Sequence, residues 1–231
     1  MTDKRALVVR GGWDGHQPVE ATDRFIPFLQ DHGYHVRVEE SAAVFADRDQ
    51  MAEVDLVLHC VTMSTIEKDE LAGLRAAVEA GTGLAGWHGG IADSYRGSSD
   101  YLQLVGGQFA GHPGKHPDDC TGDQSDNYVP HRITMLPAAA EHPVTAGVGD
   151  VDLVTEQYWV LCDSYVDMLA TTTQASRPWD PWHRPVTSPA VWTRSWGQGR
   201  VFVCTPGHDL EVLDHPTIRT LVERGLLWAS R

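Results

Sequence analysis

Three short apolar runs constrain this chain more than any other feature. "ALVV" (Ala6 to Val9), "VDLVLHC" (Val54 to Cys60) and "TGLAGW" (Thr82 to Trp87) each have strand length, and each gives way to glycine or histidine. Runs that are apolar throughout, rather than alternating, belong to strands covered on both faces, as in a parallel sheet. The segments between them carry other periodicities. "PVEATDRFIPFLQDHG" has apolar residues at helical spacing, with Pro27 as an interruption, and "YHVRVEE" alternates as a further strand. "TIEKDELAGLRAAVEAG" reads as a helix capped by Thr65, with Leu71, Leu74 and Val78 on one face and Gly81 as its stop. Strands alternating with helices over about a hundred residues predict an α/β fold with a doubly wound, mostly parallel sheet and helices on both faces. Ligand groups in such folds gather at the carboxyl ends of the strands. That edge receives Gly11 to His16, His59 and His88.

The second half reads as mostly β. "HRITML", "DLVTEQYWVL" (Asp152 to Leu161), "DMLATTT" and "PAVWTRSWGQGRVFVCTPG" are strand-like, the last folded into a hairpin at 196–199. Residues 94–128, rich in Gly, His, Pro and Asp, read as an elaborated loop with one short helix, a wall for a site. Residues 174–189 hold four prolines and two tryptophans, Trp179 and Trp182, and form an exposed loop. "HPTIRTLVERGLLWAS" closes the chain as an amphipathic helix. With no repeat and no linker, residues 1–231 read as one domain.

Charge and cysteines exclude several functions. A formal charge of −14 repels nucleic acid and anionic membrane surfaces, so neither is an expected partner. No window approaches the roughly 18 apolar residues of a membrane span, and the N-terminal stretch lacks a signal-peptide core, which places the expected location in the cytoplasm. Cys60, Cys120, Cys162 and Cys204 are widely spaced, without the pairing of a disulfide framework or zinc knuckle. Cys60 and Cys204 end apolar runs and read as buried thiols.

Four of the twelve histidines stand at strand ends: His16, His59, His88 and His208. In one parallel sheet these side chains converge to metal-ligand or proton-transfer distance. His88 lies in "GWHGG", the spacing of a strand-to-helix elbow whose glycines allow a strained turn to lift the central side chain above the sheet. No serine or cysteine takes the nucleophile's place.

The runs "GWHGGIADSYRGSSDYLQLVGGQFAGHPG", "EHPVTAGV", "LVTEQYWVL", "PAVWTRSWGQGRVFVCTPGHD" and the closing "LLWAS", in this order, resemble the trehalose-utilisation, or ThuA-like, family. The opening "LVVRGGWDGHQP" and "DLVLHC" fit as well, so the resemblance covers nearly the whole chain. It implies a class I glutamine-amidotransferase-like fold with a flavodoxin-like sheet, here with extra β hairpins in the C-terminal half. In that setting His88 replaces the amidotransferase cysteine and His208 matches its catalytic histidine. An acyl-enzyme route through His88 is therefore disfavoured, and glutaminase activity with it.

Carried over residue by residue, His88, His208 and Glu156 form the expected catalytic centre. His59, His88 and His208 are candidate ligands of a divalent metal, zinc first. The same groups could instead exchange protons with a sugar without metal. His16, Trp87, His112, Tyr158 and Trp192 are expected to bind substrate, with Trp13 near the same edge. Glu156 and Tyr158 are two apart, so both reach the site or both face solvent. The family implies a small carbohydrate as substrate, a disaccharide, glycoside or 3-keto-sugar, converted by hydrolysis, elimination or isomerisation. A non-catalytic sugar-binding or regulatory module is the alternative, and a homodimer is the expected assembly.

Overall fold

The computed structural model describes residues 4–231. The first three residues of the N-terminal stretch read above lie outside them. In chain order the elements are β1 (Lys4–Gly12), α1 (Pro18–Asp23), α2 (Ile26–Asp31), β2 (Tyr34–Glu39), α3 (Arg48–Ala52), β3 (Leu56–Thr62), α4 (Lys68–Glu79), β4 (Gly83–Trp87), α5 (Gly89–Ala92), α6 (Ser99–Val105), β5 (Gly107–Gly111), β6 (Tyr128–Met135), β7 (Val151–Glu156), β8 (Trp159–Cys162), β9 (Asp167–Gln174), β10 (Val186–Trp196), β11 (Gly199–Cys204), α7 (Leu210–Asp214) and α8 (Pro216–Ala229).

Nine strands form one sheet in the order β2-β1-β3-β4-β11-β10-β9-β6-β7. The half from β2 to β11 is parallel, and the half from β11 to β7 is antiparallel. β5 and β8 make a separate antiparallel pair. The fold is thus mixed α/β, with four antiparallel pairings on one side of the parallel core. Among the described residues no helix is long and apolar enough to cross a membrane.

Alternation along β1 explains the two cores. Ala6 and Val8 point to one face, where they meet Phe25, Leu29 and Leu221 from α2, its approach and α8. Leu7 and Val9 point to the other, against Met51, Leu74 and Leu104 from α3, α4 and α6. Both faces are covered, which is why the parallel strands read as unbroken apolar runs. At Gly225 of α8 a Cβ would meet the Phe202 ring at 2.2 Å, so this glycine lets the helix lie directly on β11.

Three local expectations are corrected. α4 starts at Lys68 behind Glu67, not Thr65: Glu67 and Glu70 form a reciprocal capping box. Pro27 starts a new helix rather than kinking one, dividing the segment into α1 and α2. The single strand read over Asp152 to Leu161 is two, because β7 leaves the large sheet at Glu156 and β8 joins β5.

Candidate metal centre

β4 runs into α5 with only His88 between them. His88 takes φ 48° and ψ −142°, a conformation that costs a non-glycine residue about 1–3 kcal/mol. Neighbouring glycines make the turn sterically possible: a Cβ on Gly89 would lie 2.6 Å from His16 Cε1, and one on Gly90 2.9 Å from Cys60 Cα. Gln17 and Met63 also have positive φ, and each flanks a residue of the site, His16 and Thr62. All three strained non-glycine residues thus border one place.

There the side chains of His16, His88, Glu156 and His208 each offer a ligand atom, all within 4.8 Å of one another, and all four residues are buried. They come from the turn after β1, the end of β4, the end of β7 and the loop after β11. His88 Nε2 lies 3.0 Å and His208 Nδ1 2.9 Å from the same oxygen, Glu156 Oε2, and the two nitrogens are 3.3 Å apart. His88 Nδ1 donates to the Thr205 carbonyl at 2.8 Å, and His16 Nδ1 bonds Thr62 Oγ1 at 3.0 Å.

Counting protons shows what this triangle lacks. With its Nδ1 proton on Thr205, a neutral His88 presents a bare lone pair at Nε2. Burial lowers the pKa of His88, against the pull of Glu156, and burial with the neighbouring His88 and His208 takes His16 down to about 2. Burial pushes Glu156 upward, but its contacts with the His208 and His88 rings outweigh it and hold the carboxyl well below its usual range. Burial thus favours the neutral forms of His88 and His16 beside an ionised Glu156. His88 Nε2 and the Glu156 oxygen then face each other as two acceptors. A divalent cation could satisfy both. The donor set suits it: three imidazoles and a carboxylate match zinc-type coordination, and His88 has its second nitrogen anchored on a carbonyl, as metal-binding histidines usually do.

A cleft of about 290 Å³ opens beside this centre, walled by Trp13, Met63, Asp93, Arg96, Phe109 and Tyr158, with His16, His112 and Glu156 also on its lining. Tyr158 lies over the His88 ring, centroids 4.2 Å apart, so Glu156 and Tyr158 do both reach the site. His112 Nε2 is 3.6 Å from Glu156 Oε2, and burial lowers its pKa.

Other expected site residues lie elsewhere. His59 is fully buried outside the cluster, its Nδ1 donating to the Gly90 carbonyl at 2.7 Å and its Nε2 accepting from the Tyr95 hydroxyl at 3.1 Å. Both nitrogens are used, so it has none left for a metal. Trp87 points to the opposite layer, against Phe25 at 4.8 Å. Trp192 is buried with its Nε1 donating to the Val105 carbonyl at 3.0 Å. Neither tryptophan lines the cleft. Trp179 and Trp182 pack on His116 and Trp159. Cys60 and Cys204 are buried, and burial pushes the Cys60 thiol up to about 12 and Cys204 higher still, so neither is poised as a thiolate.

His16, expected to bind substrate, lies within the four-residue cluster, and Met63, Asp93 and Arg96 are cleft residues that the sequence did not single out. The Asp93 and Arg96 signal was present as opposite charges three apart just beyond the "GWHGG" turn.

The profile of the ThuA family, described as trehalose utilisation, matches residues 5–229. The chain belongs to the ThuA family. Among solved structures, a ThuA-like protein from Bacteroides uniformis ATCC 8492 superposes with a TM-score of 0.72 at 17% identity, over 98% of this chain and 91% of that one. One from Parabacteroides merdae ATCC 43184 gives 0.73 at 14% identity, over 99% and 90%. A cytoplasmic protein from Salmonella typhimurium LT2 gives 0.64 at 12% identity, over 98% and 100%. At these identities the likeness is one of fold. No curated protein matches this ThuA-family chain significantly.

Proposed function

We propose that this ThuA-family protein is a divalent-metal-dependent enzyme of sugar metabolism, acting on a keto-sugar, glycoside or disaccharide by hydrolysis, elimination or isomerisation. The observation that carries the reading is the convergence of His16, His88, Glu156 and His208 on one point at the base of a cleft, with His88 and His16 anchored from behind by Thr205 and Thr62. A metal held there supplies Lewis acidity toward a substrate oxygen. The chain's own residues do the rest. Thr62 and Thr205 fix the imidazole orientations, Tyr158 covers the His88 ring, and His112, kept neutral by burial, is placed to take or return a proton. The parallel strands follow the order expected of a flavodoxin-like sheet, which supports descent from an amidotransferase-like scaffold with His88 at the elbow.

The test is metal analysis of protein purified without added metal, with turnover of 3-keto-glucosides and disaccharides. Stoichiometric zinc or another divalent ion, lost in His88→Ala and Glu156→Gln but kept in His59→Gln, is the expected result. Absence of metal together with full activity in His88→Ala would overturn the reading, and sugar binding without conversion would favour a binding module.

A further inference from the structure

Two features of the cleft are not used by the metal centre. Asp93 is buried at the end of α5, five residues after His88, and receives a two-pronged bond from Arg96: Nε to Oδ1 at 2.5 Å and Nη2 to Oδ2 at 2.6 Å. The Arg96 side chain is half exposed and lies over the Phe109 ring at 5.6 Å. Its Nη1 has no hydrogen-bond partner among the described residues. The second feature is charge. Asp93, Asp123, Asp126 and Glu156 line the cleft, and Arg96 is its one lysine or arginine. Lys115, nearby, is taken by Asp126. With Asp126 matched by Lys115 and Asp93 by Arg96, no cationic side chain of the cleft is left over for an anion.

We propose that the Asp93–Arg96 pair recognises adjacent hydroxyls of an uncharged sugar ring, and that the cleft selects against phosphorylated and carboxylated sugars. The proposal rests on the sugar reading above and names its substrate class. A hydroxyl is both donor and acceptor, so one can accept from the free Arg96 N–H groups while its neighbour donates to the Asp93 carboxylate. A phosphate or carboxylate group brings no donor for Asp93 and would meet an arginine that Asp93 already neutralises. Phe109 and the half-exposed Trp13 offer the aromatic faces on which the apolar side of a sugar ring packs. The cleft volume stands at the lower end of ligand pockets, roughly 300–1,000 Å³, so it encloses one ring.

Calorimetric titration tests this on metal-free and zinc-loaded protein, with methyl α-glucopyranoside and its 3-keto derivative as neutral probes and glucose 6-phosphate and glucuronate as anionic ones. The expected result is binding of at least one neutral probe, tighter than either anion in both preparations, and weakened about tenfold or more in Arg96→Gln and Asp93→Asn. Arg96→Lys, which keeps the charge but loses the fork, should also bind more weakly. Tighter binding of an anionic probe, or no binding of either neutral one, overturns the proposal. So does neutral-sugar affinity indifferent to both substitutions in variants whose melting temperature is unchanged. Metal content separates the two readings: sugar binding through Asp93 and Arg96 without metal leaves this proposal standing and removes the metal centre, whereas a loaded centre with indifferent affinity does the reverse.

Discussion

Thr62 and His59 sit on the same strand and show how two buried polar residues serve opposite ends. Thr62 Oγ1 holds His16 Nδ1, the kind of support whose loss costs metal affinity about 10–100-fold. Thr62→Val keeps the shape and removes the bond, so metal titration should show a loss in that range with the melting curve little changed. His59 is structural. Burial lowers its pKa to about 4, against 6.5 when unfolded, so the folded chain binds fewer protons between those values. Its contribution to stability is complete above pH 6.5 and lost as pH falls through about 4, on the order of 3 kcal/mol in all. His59→Gln, which does not titrate, should flatten the denaturation midpoint against pH in that window by comparison with wild type. An identical slope in both proteins would refute the assignment. In sequence the two kinds of histidine look alike, since both end an apolar run; what separates them is whether the ring nitrogens find partners, and Tyr95 and Gly90 are 36 and 31 residues from His59.

At the scale of elements, the parallel strands and most helices were legible because their patterns are local. Burial on both faces writes an unbroken apolar run, as in β3 and β4, and α8 carries its 3.6-residue stripe. The β7–β8 boundary was not legible. "LVTEQYWVL" is a plausible single strand, and only the pairing of β8 with distant β5 breaks it after Glu156. That break is what turns Glu156 and Tyr158 together into the site. The tryptophans misled for a related reason: Trp87 precedes His88 and so points to the opposite face of the sheet, whatever the chemistry beside it. Gly225 supplies a prediction in which two effects oppose. Alanine in a helix is worth about 1 kcal/mol over glycine, but here its Cβ would press on three atoms of the fully buried Phe202 ring within 2.4 Å. Overpacking of about 1–3 kcal/mol should win, so Gly225→Ala should lower the denaturant midpoint without changing the slope. A stabilised variant would show that α8 can shift off β11.

For the whole molecule, the candidate ligands at positions 16, 88, 156 and 208 join segments that are otherwise far apart in sequence. A metal bound only by the folded arrangement stabilises all of it, by about 2.7 kcal/mol when free metal is a hundredfold above Kd. For a chain of this size that corresponds to a rise of roughly 5–10 °C in melting temperature. Scanning calorimetry with zinc, then with a chelator, should show the rise and its reversal, and a metal-independent transition would contradict the site. This convergence explains why the centre was only partly legible. The sequence marks strand ends, but which of them approach depends on sheet order, and that order is not sequential.

Sheet order also has a consequence in time. β11 stands between β4 and β10 in the middle of the large sheet, yet it is the last strand in order among the described residues, and His208 follows it by four residues. A nascent chain carrying every earlier strand still has a gap at the centre of its sheet and an incomplete set of ligands. Closing the sheet and bringing His208 to the candidate cluster therefore depend on the same strand.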